Sequence, residues 1–185
     1  MTYTAMLTFD QESEALIRDL WKRIEEQGIT SALPATGIPP HISLGGFEQI
    51  DQKPFLEALE VFAERTNPVW LLLGAAGTFP GEHSIVFLAP IVTMEILHLH
   101  ADFHRVIAGS STLSRQYYQP GWWIPHCTVA IDVPQEEIAA AVAICRNSPV
   151  FRPIRLVDIV LAETSPKDEI ARFPLGVPAK DEKKG

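Results

Sequence analysis

His41-Ile42-Ser43-Leu44 and His126-Cys127-Thr128-Val129 follow one pattern: imidazole, apolar side chain, hydroxyl, apolar side chain. Each histidine also follows a proline, Pro40 and Pro125. Successive side chains of an extended segment point to opposite faces. The pattern therefore predicts that His41 and Ser43 share one face, with Ile42 and Leu44 turned into a core. His126 and Thr128 would share another, backed by Cys127 and Val129. Two imidazoles and two hydroxyls facing one cleft suit acid–base chemistry on a phosphate without a metal ion. An imidazole titrates near about 6.5, so one ring can take a proton while the other gives one. The hydroxyls can donate to phosphate oxygens where charge builds.

Such chemistry needs both motifs on strands and both strands at one cleft. Residues 3–9 alternate as a strand does. Residues 11–27 place Ala15, Leu16, Leu20 and Ile24 at helical spacing, with Gly28 as the stop. Residues 31–40, with three prolines and a glycine, read as a loop. A strand at 41–47 carries the first motif. A helix at 51–65 follows, with Asp51 as N-cap and Pro54 in its first turn. Strands at 69–79 and 83–89 flank a turn at Pro80-Gly81. The order then restarts: a helix at 91–107, a polar and aromatic loop at 109–123, and the second motif on a strand at 125–133. A helix at 134–146, a strand at 153–163, a turn at 165–168 and a strand at 169–175 complete it. Each half thus runs helix, loop, motif strand, helix, strand, turn, strand. This predicts an α+β fold in one domain, residues 1–177. Its two pseudo-repeated lobes cover about 1–89 and 83–177, and 178–185 form a polar tail. Two antiparallel sheets with flanking helices would surround a central cleft.

Composition narrows the partners. The chain has 185 residues, 46% of them hydrophobic, enough for a sizeable core. No apolar run approaches the roughly 18 residues of a membrane span. The first ten residues lack the charged segment of a secretory signal. Two cysteines make no disulfide framework. A cytoplasmic protein without membrane association is expected, and a monomer, since the repeat already supplies an internal dyad. The net charge of −8 argues against tight binding along a nucleic-acid backbone, but not against a nucleotide or an RNA end. No Gly-rich phosphate loop is present; Gly45-Gly46 reads as a bulge.

Other residues divide between chemistry and packing. Arg115 and Tyr118 lie in the loop before the second motif, with Tyr117, Trp122 and Trp123; they are candidate substrate contacts, through ion pairing and stacking. The same aromatics could equally cap the core between the lobes. Ile38-Pro39-Pro40 could wall the cleft. His100 and His104 are one helical turn apart and could chelate a metal, but no further ligands complete a site, so a solvated helix face is the expectation and no metal is assigned. Cys127 is expected in the core.

The paired motifs in a duplicated α+β layout resemble the 2H phosphoesterase superfamily, also called the LigT-like or 2′-5′ RNA ligase family. The resemblance covers about residues 3–175. Its departures are Ser43 where threonine is usual and Cys127 at the variable position. It implies an enzyme without cofactors: a cyclic phosphodiesterase opening 2′,3′-cyclic phosphates of nucleotides or RNA ends. His41 and His126 would be catalytic, and Ser43 and Thr128 would bind the phosphate. The alternatives are RNA 2′-5′ ligation, the reverse reaction, and a non-catalytic module that binds nucleotides or anions.

Overall fold

The alternating segment at the start becomes β1 (Tyr3–Phe9), and the helical spacing after it becomes α1 (Gln11–Glu26). Asp10 caps α1, its carboxylate accepting the Ser13 amide at 2.9 Å, and Gly28 leaves the helix at φ +78°. Ile17, Leu20, Trp21 and Ile24 form the buried stripe of α1. The computed structural model describes residues 3–29, 33, 37–79, 84–113, 115–164 and 167–177. The remaining elements are β2 (His41–Ile50), α2 (Gln52–Arg65), β3 (Val69–Thr78), β4 (Val86–Pro90), α3 (Met94–Val106), β5 (Ser111–Leu113), a 3₁₀ turn at Gln116–Tyr118, β6 (Cys127–Ala130), α4 (Ile138–Arg146), β7 (Pro153–Thr164) and β8 (Lys167–Pro174). After β1, the order helix, motif strand, helix, strand, strand runs twice, with β5 and the 3₁₀ turn inserted before the second motif strand. The fold is α+β, as expected.

All strand pairs are antiparallel, in the order β5-β2-β1-β7-β3-β4-β6, with β8 also on β7. Strand β3 joins two parts of this path. Its Val69–Leu72 stretch pairs with β7, and its Leu73–Thr78 stretch pairs with β4. The motif strands β2 and β6 therefore lie far apart along the ladder. They nevertheless approach each other, for Trp123, just ahead of β6, donates its indole N–H to the Ser43 carbonyl at 2.9 Å. The Cys127 sulfur also lies at the backbone amide of His41.

The helices cover one face of the strands. Ala5, Leu7 and Phe9 of β1 and Ile42 and Leu44 of β2 join the buried residues of all four helices in one core. The opposite face carries Met6, Val160 and Ala162, a small separate cluster. His41 and Ser43 pair in register with Thr8 and Met6 and so lie on this second face.

Several boundaries differ from expectation. Helix α3 starts at Met94, not at 91, because the Ile91 amide bonds to the Leu72 carbonyl at 2.8 Å and Thr93 caps the helix through the Ile96 amide. Helix α4 starts at Ile138, not at Pro134. Asp132 turns the chain with φ 55°, and a turn closes from the Glu137 amide to the Pro134 carbonyl. Asp51 stands at the N-cap of α2, but its side chain makes no capping bond; its backbone amide binds Ser110 instead. The loop at 109–123 is not irregular throughout, since β5 and the 3₁₀ turn fall within it. The turn at 80–81, the start of the strand at 83 and the tail at 178–185 lie outside the described residues. No helix among the described residues is long and apolar enough to cross a membrane.

Candidate active site

The two motifs repeat each other in burial as well as in sequence. His41 and Ser43 are half-buried and Ile42 and Leu44 are fully buried. His126 and Thr128 are half-buried and Cys127 and Val129 are fully buried. The alternation read from the sequence is thus present at both, although β6 begins one residue after His126.

Each histidine is also held in the same way. His41 Nδ1 lies 2.8 Å from the Pro39 carbonyl, and His126 Nδ1 lies 2.7 Å from the Ile124 carbonyl. A carbonyl only accepts, so Nδ1 carries the proton in both rings and Nε2 is the nitrogen left for proton transfer. The proline after each carbonyl explains the geometry. It keeps the preceding residue extended and brings that carbonyl back under the ring. Burial pushes both imidazoles below their ordinary pKa, offset in part by these carbonyls; a charge on His126 lowers His41 further. The two rings therefore share one electrostatic environment.

The surroundings differ between the halves. Phe87 pairs in register with Thr128, and its ring stacks on Phe79 at 4.3 Å. Both rings meet His126 edge-on, at 4.8 Å for Phe79 and 5.5 Å for Phe87. Beside the first motif, Tyr118 is half-buried and its hydroxyl hydrogen-bonds that of Ser43; burial, with Tyr117 nearby, pushes the phenol up to about 12. Arg115 is exposed at the start of the same turn, close enough for its charge to act on Tyr118. Ile38 and Pro39 line a depression of about 90 Å³ with Met6, Val160 and Ala162, next to His41.

Sequence reasoning missed a second layer. His100 is not on a solvated helix face. It is buried, its ring lies parallel to Trp123 at 4.0 Å, and its Nε2 is 3.0 Å from the Leu44 carbonyl. His104, half-buried, reaches the same carbonyl at 3.2 Å. The signal was present: His100 stands four residues after Ile96 and three before Phe103, on the buried stripe of α3. Phe79 and Phe87 gave no comparable signal, because their approach to His126 depends on strand pairing. Cys127 is buried and its thiol is pushed up to about 12 by desolvation, which makes it core and not a nucleophile at neutral pH. Among the described residues, no three His, Cys, Asp or Glu side chains gather as a metal-ligand set.

The α+β fold brings a His-x-Ser and a His-x-Thr segment close together, which is consistent with the class of two-histidine phosphoesterases. The model of the 2′-5′ RNA ligase superfamily matches residues 10–165, and the chain belongs to that superfamily. Provisionally named phosphoesterases of Bacillus cytotoxicus and Bacillus mycoides are 29% and 30% identical to it over 105 residues, 55% of this chain. The match spans 57% of the length of those relatives. Among solved structures, TT0787 of Thermus thermophilus superimposes with TM-score 0.58 at 14% identity, covering 95% of this chain and 98% of that one. LigT of E. coli, complexed with 3′-AMP, gives 0.57 at 14% identity, with coverages of 95% and 97%. Usb1 of Kluyveromyces marxianus gives 0.56 at 10% identity, with coverages of 94% and 98%. These three likenesses establish the fold.

Proposed function

We propose that the protein is a cyclic phosphodiesterase that opens 2′,3′-cyclic phosphates of nucleotides or RNA ends by two-histidine acid–base catalysis. The observation that carries this reading is the matched anchoring of His41 and His126. Each Nδ1–H is fixed on a carbonyl two residues back, and each Nε2 is left for the substrate. One neutral Nε2 takes a proton from the attacking water. The water oxygen then bonds to phosphorus as a phosphorus–ribose oxygen bond breaks, and the other ring, protonated, gives its Nε2 proton to the departing oxygen. Ser43 and Thr128 donate to the non-bridging oxygens. Tyr118 supports Ser43 through its hydroxyl, and Arg115 stands nearby as a cation for the substrate. The LigT structures with 3′-AMP, ATP and NADP⁺ and a Usb1 structure with uridine monophosphate favour a small nucleotide as ligand here too.

The test is hydrolysis of 2′,3′-cyclic mononucleotides in excess EDTA by the wild type, His41→Ala and His126→Ala. Turnover should persist in EDTA and fall by at least about 10²-fold in either variant, the range of one positioned proton-transfer group. Turnover that vanishes with EDTA, or survives both substitutions, would reject the mechanism. RNA 2′-5′ ligation remains the second reading, favoured by the superfamily itself. It predicts joining of RNA ends and activity that grows with RNA length.

A further inference from the structure

Strand β2 is irregular at the motif. Ala5 pairs with Gly45 and Met6 pairs with Ser43, so Leu44 is an extra residue, the signature of a β-bulge. On the other side of β2, pairing with β5 begins only at Phe47. The Ser43 and Leu44 carbonyls thus fall where no neighbouring strand supplies amides on that side. A buried carbonyl without a donor is costly, so partners are expected. Side chains provide them. The Trp123 indole donates to Ser43, and His100 and His104 both present Nε2 to Leu44. A carbonyl oxygen has two lone pairs and can accept from both rings. His100 lies flat on Trp123, and the carbonyl of Tyr118 approaches both imidazoles. The two Nε2 atoms, both turned to one oxygen, come within 3.1 Å of each other as a consequence and not as a further bond.

Trp123 also belongs to the second motif by sequence. The next residue, Ile124, supplies the carbonyl that holds His126 Nδ1. One side chain therefore grips the bulge of the first motif while its own backbone leads directly to the anchor of the second histidine. We propose that Trp123, with His100 and His104 behind it, is a positioning strut that sets the separation and mutual orientation of His41 and His126. None of the three is a catalytic residue. They act through the Ser43 and Leu44 carbonyls and the Ile124 anchor. The proposal rests on the reading of His41 and His126 as the acid–base pair.

The experiment compares Trp123→Phe, which keeps a ring against His100 but removes the indole N–H, with the wild type. Three quantities are read: kcat and KM on a 2′,3′-cyclic mononucleotide, the substrate-free titration of His41 and His126 by NMR, and the melting transition. A strut of this kind predicts a loss in kcat of up to about 10²-fold, as an ångström-scale misplacement produces, with KM little changed and a cooperative melt. It also predicts that His41 titrates at higher pH, since a splayed pair admits water and feels less of the His126 charge. His100→Gln, which retains a side-chain N–H for Leu44, should keep more of kcat than His100→Leu. Unchanged kcat and unchanged titration in a folded Trp123→Phe would overturn the proposal. If the wild type shows no turnover, the phosphodiesterase reading fails. The titration then decides the strut alone, a shift supporting it and no shift overturning it. If Trp123→Phe does not fold, the His100→Gln and His100→Leu pair gives the same two outcomes.

Discussion

Because Nδ1 of each motif histidine is tied to a backbone carbonyl, neither ring is free to choose its tautomer. What remains adjustable is the proton on each Nε2, and burial disfavours it on both rings. Charge on His126 further disfavours charge on His41, so the two rings take up their protons in two steps. In the proposed mechanism the singly protonated pair is the active form. Both steps fall below the ordinary histidine value, so kcat/KM, which reports the free enzyme, should be bell-shaped with its optimum below about pH 6.5. The bound phosphate is an anion and favours the protonated imidazole, so the kcat profile should lie to the alkaline side of the kcat/KM profile. Profiles of both constants from pH 4 to 9 check this. A kcat/KM optimum on the alkaline side of neutrality would contradict it.

At the scale of elements, the bulge in β2 is the feature that ties fold to site. Gly45 follows it directly. A Cβ at that position would meet Phe47 Cζ at 2.6 Å and Phe103 Cε1 at 3.4 Å. Those rings cannot yield cheaply: Phe47 packs on Phe55 at 5.2 Å and Phe103 on Phe62 at 5.8 Å, all within the core. Gly45→Ala should therefore destabilise the protein by about 1–3 kcal/mol, read as a lower urea midpoint at unchanged m-value. It should also lower turnover, because the strain enters two residues from Ser43. This element shows what the sequence made legible. The His-x-Ser and His-x-Thr alternation and the doubled element order followed from periodicity, and Gly45-Gly46 marked the bulge. The strut did not follow. The spacing of α3 put His100 on the buried stripe, but did not reveal its partner, a carbonyl from β2, 56 residues away. Trp123 could be placed beside the second motif, but not bonded to Ser43, 80 residues away. Such contacts are set by strand order, and β2 and β6, far apart in the ladder, meet only when the whole path has formed.

At the scale of the whole molecule, the buried histidines couple stability to pH. His100 is enclosed by Trp123, His104 and the Leu44 carbonyl, and burial lowers its pKa from 6.5 to about 4, with the His104 charge adding to the effect. In the unfolded chain the same ring titrates at its ordinary value. Between those two values the unfolded state binds a proton that the native state refuses, so stability rises with pH. The contribution is complete above about pH 6.5 and is lost progressively as pH falls toward about 4, below which nothing more is lost. Its size is on the order of 3 kcal/mol. The lowered His41, His104 and His126 act in the same direction. His100→Gln isolates the one residue: it keeps a donor for Leu44 but cannot bind a proton. Urea unfolding at intervals from pH 7.5 to 4 should show the wild type losing stability faster than the variant. The gap should close by on the order of 3 kcal/mol, with most of the change between about pH 6.5 and pH 4. Parallel curves would mean that His100 already titrates normally in the native state, and hence that the stack on Trp123 does not hold it from water.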